Sequence, residues 1–383
     1  MTFLSNNIFS HLFSLSAINL IIGWGGGFYI IKIFFFILIG ILSLLAIAQQ
    51  KRFYLNKLNF ILLFSVLISF IYHYIFNGEL LGVGSINFLG KILLPVIFGM
   101  LIYNAIPFVK LLIFVKYLKV FMLLSIVLIG MQYFGIWSIN TLFLSNELLE
   151  RIQGSVSYVG VSSSPFYMGS QLAIITPIII AHLSKQRMLR IFYMLFSFFS
   201  SQRAYFLTVI IDWIRGKINI RAILLILAIL FPVSIFVMLN DSSSLIFRGY
   251  DFDRIVLYLA GINYIFENPF GAGGFSQYSQ TIGLVSENND FLLQNMELIT
   301  QIKAPHNFLI NVAVVHGVFF LLPLSYFLYK IYKLDNIFSW GFLFGVAVSM
   351  FHNLSFLYAD FFSWIILAFA LKYEKIKRNN YVE

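Results

Sequence analysis

Long apolar runs separated by short polar breaks limit how this chain can fold more than any other feature. Hydrophobic residues make up 60% of its 383 positions and charged residues only 10%. Runs of about 18 apolar residues are long enough to cross a hydrocarbon layer of ~30 Å. They lack the period-two alternation of barrel strands, and lipid offers the backbone no hydrogen bonds, so the spans should be helices. The sequence therefore predicts an all-α polytopic membrane protein, with residues 1–383 forming one multi-span domain.

The predicted spans end at the polar breaks. A further apolar stretch, residues 191–213, has basic residues on both sides, which predicts a helical hairpin with Arg203 near its apex. Counting both hairpin arms gives twelve membrane segments. The other ten are residues 8–24, 28–48, 59–76, 88–106, 118–137, 166–184, 220–239, 306–329, 337–352 and 355–371.

Basic residues orient the predicted spans. Lys and Arg near span ends resist translocation, so their clusters should face the cytoplasm, together with both termini. The net charge of +10 is scattered between apolar runs and forms no long basic stripe, which argues against nucleic acid as a partner. The clusters are Lys51/Arg52/Lys57, Lys110/Lys116/Lys119, Lys185/Arg187/Arg190, Arg215/Lys217/Arg221, Lys330/Lys333 and Lys372/Lys375/Lys377/Arg378.

The same orientation places residues 240–305, the longest stretch between predicted spans, outside the cytoplasm as a large loop. Asp251 and Asp253 can cap a helix that runs to about Glu267, before Pro269 and a glycine-rich turn. One side of this helix is apolar, so we expect it to lie on the membrane surface. The residues on that side are Ile255, Leu259, Ile262 and Phe266.

Three arginines are candidate ligands for an anion. Arg203 lies within a predicted membrane hairpin, where a charge costs at least ~2.5 kcal/mol unless it meets an anion or a watery cavity. Phosphate binding, an internal ion pair with Asp212 or Asp360, and snorkelling all fit that position. Arg248 and Arg254 lie on the outer loop, where they could hold a diphosphate bidentately or pair with neighbouring aspartates.

Polar residues lie at the start of the predicted span 306–329, within it, and between the last two predicted spans. His306 and Asn307 open the span 306–329, and an imidazole at the outer face can act as a general base, although many such histidines are only interface residues. Asn311 follows one turn later, and His316 comes later still. Interhelical hydrogen bonding is the alternative for both, and we favour it for His316. His352 lies at the predicted outer turn between the last two spans.

The chain lacks the signals of metal or nucleotide sites. It contains no cysteine, and its six histidines show no HxxxH or HExxH spacing. No GxxxxGK[ST] loop is present either. We therefore expect neither a metal nor another cofactor.

Three motifs in residues 185–355 resemble the superfamily of bacterial O-antigen polymerases and ligases. They are Ser201-Gln202-Arg203, the stretch from Arg248 through Arg254 to Asn268-Pro269-Phe270-Gly271-Ala272-Gly273-Gly274-Phe275, and Pro305-His306-Asn307-Phe308-Leu309 with Gly317 downstream. The first 180 residues match only in hydropathy. Gln202 stands where the family commonly has serine.

The resemblance implies a multi-pass protein of the bacterial inner membrane with a periplasmic active site. It implies inverting, metal-independent glycosyl transfer from an oligosaccharide linked to undecaprenyl diphosphate, with a flippase and a chain-length regulator as pathway partners. Arg203, Arg248 and Arg254 would then hold the diphosphate, and His306 would deprotonate the acceptor hydroxyl. The predicted substrate contacts also include Asn307, Asn311, Gly273 and His352.

Two other functions fit the same sequence features. An O-antigen ligase would use the same donor but deliver the glycan to lipid A core, and the short chain without an appended soluble domain favours the polymerase. A transporter or flippase would also have about twelve spans, but such proteins often contain two similar halves, and no repeat is evident here.

Overall fold

The described part of the chain is helical. A computed structural model of the protein describes residues 5–22, 29–77, 83–134, 165–182, 209–212, 249–273, 275–302, 307–349 and 361–380. Among these residues no strand occurs. The predicted all-α class is thus confirmed for this part of the chain, whereas the span 220–239 and most of the hairpin 191–213 lie outside the described ranges.

The helices are numbered here in chain order. They are α1 Asn6–Ile21, α2 Tyr29–Gln50, α3 Lys57–Asn77, α4 Val83–Ala105, α5 Leu111–Tyr133, α6 Pro165–His182, α7 Gly249–Glu267, α8 Phe275–Ser286, α9 Asp290–Gln294, α10 Met296–Ile302, α11 Phe308–His316, α12 Val318–Leu334, α13 Ile337–Ser349 and α14 Phe361–Asn380.

Three of the described helices are long and apolar enough to cross a membrane, over Ile30–Gln50, Lys57–Phe76 and Leu111–Gln132. Shorter apolar helices cover Leu93–Phe108, Met168–His182, Ile337–Ser349 and Phe361–Tyr373. These lengths and compositions are consistent with a membrane protein.

The bundle, comprising α1–α6 and α12–α14, contains the main apolar core. Its helices approach closely where glycine replaces a larger side chain. A Cβ on Gly341 of α13 would collide with the backbone carbonyl of Ile174 in α6, and one on Gly99 of α4 would collide with the Trp364 ring of α14. Small residues let helix backbones pack at such short range.

One end of the bundle brings several predicted basic clusters together. In the loop between α2 and α3, Tyr54 donates its N–H to Asn104 Oδ1 at the end of α4, over 2.8 Å. Lys372 of α14 packs its ammonium over the Tyr103 ring, 3.9 Å from the centroid, and 5.2 Å from that of Tyr54. We call this the basic end.

Two further contacts place the α12–α13 turn and the start of α5 at the basic end. Asn336, between α12 and α13, donates its side-chain amide to the Ala370 carbonyl over 2.9 Å. Ser10 of α1 accepts the N–H of Lys110 over 2.8 Å. Four of the six basic clusters therefore begin at the same end, as the positive-inside argument requires. The other two clusters, around residues 185–190 and 215–221, lie outside the described residues.

Residues 249–302, here called the cap, form a small helical layer with its own core. The sequence predicted one helix in this stretch, and α7 does end at Glu267, although it begins at Gly249, so Asp251 and Asp253 lie in its first turns rather than at the cap position. Helices α8, α9 and α10 were not predicted. Their core consists of Val256, Ala260, Tyr264, Ala272, Tyr278, Ile282, Leu292 and Ile299, joined by Val314 and Val315 of α11.

Residues 306–329, predicted as one span, do not form one continuous helix, because the helix breaks at Gly317. There φ is +58° and ψ is −151°, which separates α11 from α12. Helix α11 lies between the two cores: Phe308 and Val312 belong to the core of the bundle, whereas Val314 and Val315 belong to that of the cap. The nine-residue α11 is thus a connecting layer, and α12 is the helix that runs back to the basic end.

Candidate functional site at the junction of cap and bundle

The turn between α7 and α8 replaces the missing helix bonds at the break. Val314 and Val315 would offer their carbonyls to residues 318 and 319 in a continuous helix. Instead they accept the N–H groups of Ala272 (2.8 Å) and Gly273 (2.9 Å), and the N–H of Val318 goes to the Pro269 carbonyl (2.9 Å). Because backbone groups at a buried helix end must find partners, this exchange lets the chain break inside an apolar layer.

Three glycines make this close contact feasible. Gly271 and Gly273 have φ values of +81° and +78°, and with Gly317 they occupy backbone regions that side chains disfavour. A Cβ on Gly271 would meet the backbone of Val315, and one on Gly317 would meet the backbone of Phe270. The glycine-rich turn predicted from the sequence is therefore confirmed, with positive φ at Gly271 and Gly273 and a steric reason for Gly271.

Two polar residues of α3, Ser69 and His73, form hydrogen bonds at the junction of cap and bundle. His73 Nε2 lies 3.0 Å from the Phe270 carbonyl, and since a carbonyl can only accept, that ring nitrogen carries the proton. Ser69, one helical turn earlier, has its hydroxyl 2.9 Å from His316 Nδ1 at the end of α11. The hydrogen-bonding alternative favoured for His316 is confirmed by this contact.

Aromatic rings surround the polar contacts. Tyr72 packs against Phe270 of the turn, with centroids 5.2 Å apart, and against Phe319 of α12 at 4.8 Å. Phe270 and Phe319 also stack on each other at 5.4 Å. The turn is thus held between α3 and α12.

The junction lies far from the basic end. His73 is sixteen residues beyond Lys57, the first residue of α3, which corresponds to about 24 Å at 1.5 Å per residue. The direction of α12 supports the same separation, because this helix starts at the junction with Val318 and ends near Lys330 and Lys333. The cap and the four described basic clusters therefore occupy opposite ends of the bundle.

Arg254 lies in the first turns of α7 and is partly buried. Helix α7 packs against α11, and the turn that follows α7 bonds to the last residues of α11. The C-terminal ends of the two helices therefore meet, so Arg254 and Asn307 both lie toward the starting ends.

Asn307 and Asn311 have identifiable structural surroundings. Asn307 is the N-cap of α11, where its Oδ1 accepts the N–H of Ile310 over 3.1 Å. Asn311 is only 3% exposed, so it lies among packed side chains rather than on an open surface. Burial favours the structural alternative for Asn311, and a substrate contact by Asn307 stays a prediction.

Gly273 has a packing role that the sequence did not reveal. Its N–H donates to Val315, and a Cβ at this position would strike the His73 ring. This N–H is therefore engaged within the protein rather than directed at a glycan or diphosphate.

Four predicted site residues, Arg203, Arg248, His306 and His352, lie outside the described residues. Their roles stay predictions. His306 directly precedes Asn307 in the chain, and Arg248 directly precedes the first residue of α7.

Three of the four residues on the predicted apolar face of α7 are exposed, and the fourth, Ile255, is partly buried. Phe266 is 82% exposed, and Leu259 and Ile262 are each 41% exposed. Phe270, next to the bundle in the following turn, is also exposed, at 44%. Exposed apolar side chains fit a helix on a membrane surface, and that location stays a prediction.

Two tyrosines of the cap core have altered acidity. Burial raises the pKa of Tyr278, and its neighbour Tyr264 raises it further. Burial also raises the pKa of Tyr264, partly offset by its hydrogen bond to Thr281. Their rings pack edge to face, 4.9 Å between centroids. Both side chains are therefore neutral phenols at physiological pH.

Sequence reasoning missed Ser69 and His73. Both lie in the predicted span 59–76, and residues four apart share one helical face, so the Ser69–His73 spacing was the available signal of a polar stripe. Their partners come from residues nearly two hundred or more positions later in the chain, which no local pattern encodes.

No protein-family model matches the chain, and a search of curated proteins finds no match.

Proposed function

We propose that this protein is a multi-span enzyme that polymerises lipid-linked glycan repeat units on the outer face of a bacterial inner membrane. Its donor would be an oligosaccharide on undecaprenyl diphosphate, and its acceptor a sugar hydroxyl of another lipid-linked unit. The proposal joins the motif resemblance to the architecture of the described residues.

The observation that carries the proposal is the position of the cap. It lies at the end opposite the four described basic clusters, and the positive-inside rule assigns those clusters to the cytoplasm. The cap carries Arg254, and α11 follows the cap in the chain. A lipid carrier has its diphosphate at the membrane surface, where such an arginine can reach it.

The proposed step breaks the bond between the anomeric carbon and the diphosphate oxygen and forms a bond from that carbon to the acceptor oxygen. Arg254, with Arg203 and Arg248, would stabilise the charge that develops on the departing undecaprenyl diphosphate. His306 would take the proton of the acceptor hydroxyl. Attack on the face opposite the leaving group inverts the anomeric carbon.

The test is chain extension by purified protein in liposomes, with a lipid-linked repeat unit as both donor and acceptor. We expect Arg254→Ala and His306→Ala each to lower the extension rate by about 10²-fold or more. His11→Ala is the matched control, since His11 lies on α1 near the basic end, beside Tyr117.

Each result bears on one part of the proposal. Full-rate extension by the Arg254 or His306 variant would remove that residue from the mechanism. Transfer to lipid A core without any extension would replace polymerase by ligase, and movement of the lipid across the bilayer without transfer would indicate a transporter.

A further inference from the structure

The N-terminal half of the chain contributes side chains to the place where the cap meets the bundle. Ser69 and His73 belong to α3, whereas the motif resemblance begins only near residue 185. Their partners are His316, at the end of α11, and the Phe270 carbonyl, in the turn that follows α7. This connection between the halves has no counterpart in the motifs.

The two contacts fix different elements. His73 holds the turn that ends α7, because its Nε2–H bonds to Phe270 while its ring fills the space left by Gly273. Ser69 holds the end of α11 through His316. The Ser69–His316 contact is buried and the His73–Phe270 contact is partly buried, and burial strengthens a hydrogen bond relative to one in water.

Each contact holds the C-terminal end of a helix whose N-terminal end carries a proposed site residue, Arg254 on α7 and Asn307 at the N-cap of α11. From Arg254 to Glu267 the helix extends about 20 Å, at 1.5 Å per residue. A small change of angle at the turn therefore moves Arg254 by ångströms. Misplacement of a catalytic group by about 1 Å can cost about 10²-fold in rate.

We infer that His73 and Ser69 are positioning residues of the proposed reaction, which set the angle of α7 and α11 over the bundle through the Phe270 carbonyl and His316. This inference rests on the proposed function. Neither residue needs to touch substrate for that role.

The kinetic test compares substitutions that keep or remove the hydrogen bond. His73→Ala should lower kcat about tenfold or more with a smaller change in KM. His73→Gln, whose amide nitrogen can reach the Phe270 carbonyl, should restore most of the rate. Ser69→Ala should act in the same direction as His73→Ala. Ser65→Ala is its control, because Ser65 lies one turn earlier in α3 and bonds only locally, to the Ile61 carbonyl.

A second measurement is independent of activity. The chain has no cysteine, so spin labels at Leu284→Cys on the cap and Phe53→Cys at the basic end report one distance. We expect His73→Ala to shift or broaden that distance, His73→Gln to restore it, and Ser65→Ala to leave it unchanged.

The two measurements separate failure of this inference from failure of the proposed function. An unchanged distance and rate in His73→Ala, with activity still lost in His306→Ala, would overturn the inference and leave the polymerase standing. Wild-type protein that extends no glycan would overturn the proposed polymerase function. The distance between the two spin labels would still show whether His73 fixes the position of the cap on the bundle. Equal loss of rate in His73→Gln and His73→Ala, at an unchanged distance, would also overturn the positioning role.

Discussion

Gly317 shows how one residue can decide the path of the chain. Its backbone conformation lies in a region that a side chain makes costly, and the Phe270 backbone fills the space where a Cβ would be. Gly130 of α5 differs, because a Cβ there would meet nothing within 4 Å. The two glycines therefore provide a matched pair of substitutions.

We expect Gly317→Ala to lower the free energy of unfolding by about 1–3 kcal/mol through backbone strain, with an additional loss from displacement of the turn. Gly130→Ala should be neutral or stabilising by up to about 1 kcal/mol, since alanine favours a helix. Thermal unfolding in detergent or nanodiscs measures both. Equal stability of the two variants would contradict the steric account of the break.

The buried tyrosines predict a loss of cap stability in alkali. The raised pKa of Tyr278 means that the unfolded chain loses its phenolic proton first, near pH 10. The contribution of the neutral phenol is therefore complete below that pH and is lost as the pH rises above it. Tyr278→Phe cannot ionise, so its stability should decline less in alkali.

The measurement is the unfolding midpoint of each protein from about pH 8 to about pH 11. Tyr74→Phe is the control, because Tyr74 is 51% exposed on α3. An alkaline decline in Tyr278→Phe as steep as in the wild type would show that this phenol is not the group responsible.

At the scale of helices, the sequence predicts best where local chemistry decides the structure. Glu267 ends α7 as expected, because Pro269 and Gly271 enforce a turn through their own backbone preferences. The break at Gly317 could not be predicted from the apolar run 306–329, since it depends on N–H groups of Ala272 and Gly273, from another part of the chain, that donate to the Val314 and Val315 carbonyls. Helices α8 to α10 were missed for a related reason: each is short, and their shared core with α11 stabilises them more than their own propensities do.

The close packing of α13 on α6 gives a prediction at this scale. Gly341→Ala places a methyl group against the backbone carbonyl of Ile174, which cannot rotate away as a side chain could. We expect overpacking to lower the free energy of unfolding by about 1–3 kcal/mol. Gly40→Ala, in open space on α2, is the control in the same thermal assay. Equal midpoints would mean that the two helices separate without cost.

At the scale of the whole molecule, opposite ends of the bundle should face opposite sides of the membrane. Leu284 on the cap is 66% exposed, and Phe53 in the loop at the basic end is 47% exposed. Single cysteines at these positions, in a chain with none of its own, can react with a maleimide that does not cross membranes.

We expect Leu284→Cys to be labelled in intact spheroplasts, and Phe53→Cys only after the membrane is opened. Labelling of both from the same side would remove the proposed outer location of the cap. Reversed labelling would place Arg254 in the cytoplasm and rule out the proposed chemistry.

The candidate site was predicted only in part. Motif order and charge distribution indicated Arg254 and the residues around His306, because arginine and histidine stand out in an apolar chain. Charge alone could not show that Gly273 packs on His73 or that Asn311 is buried, since both facts depend on distant partners. The roles of Arg254 and His306 stay predictions, whereas the packing of Gly273 and the burial of Asn311 are seen only in the structure.

Because α11 contributes to two apolar cores, the order of synthesis limits the order of assembly. A ribosome finishes α7 to α10 before it reaches Val314 and Val315, so the cap lacks part of its interior until those valines emerge. Ser69 and His73 of α3, which bond to His316 and Phe270, are synthesised within the first fifth of translation. We therefore expect the cap to mature late, closing onto helices that were synthesised long before it.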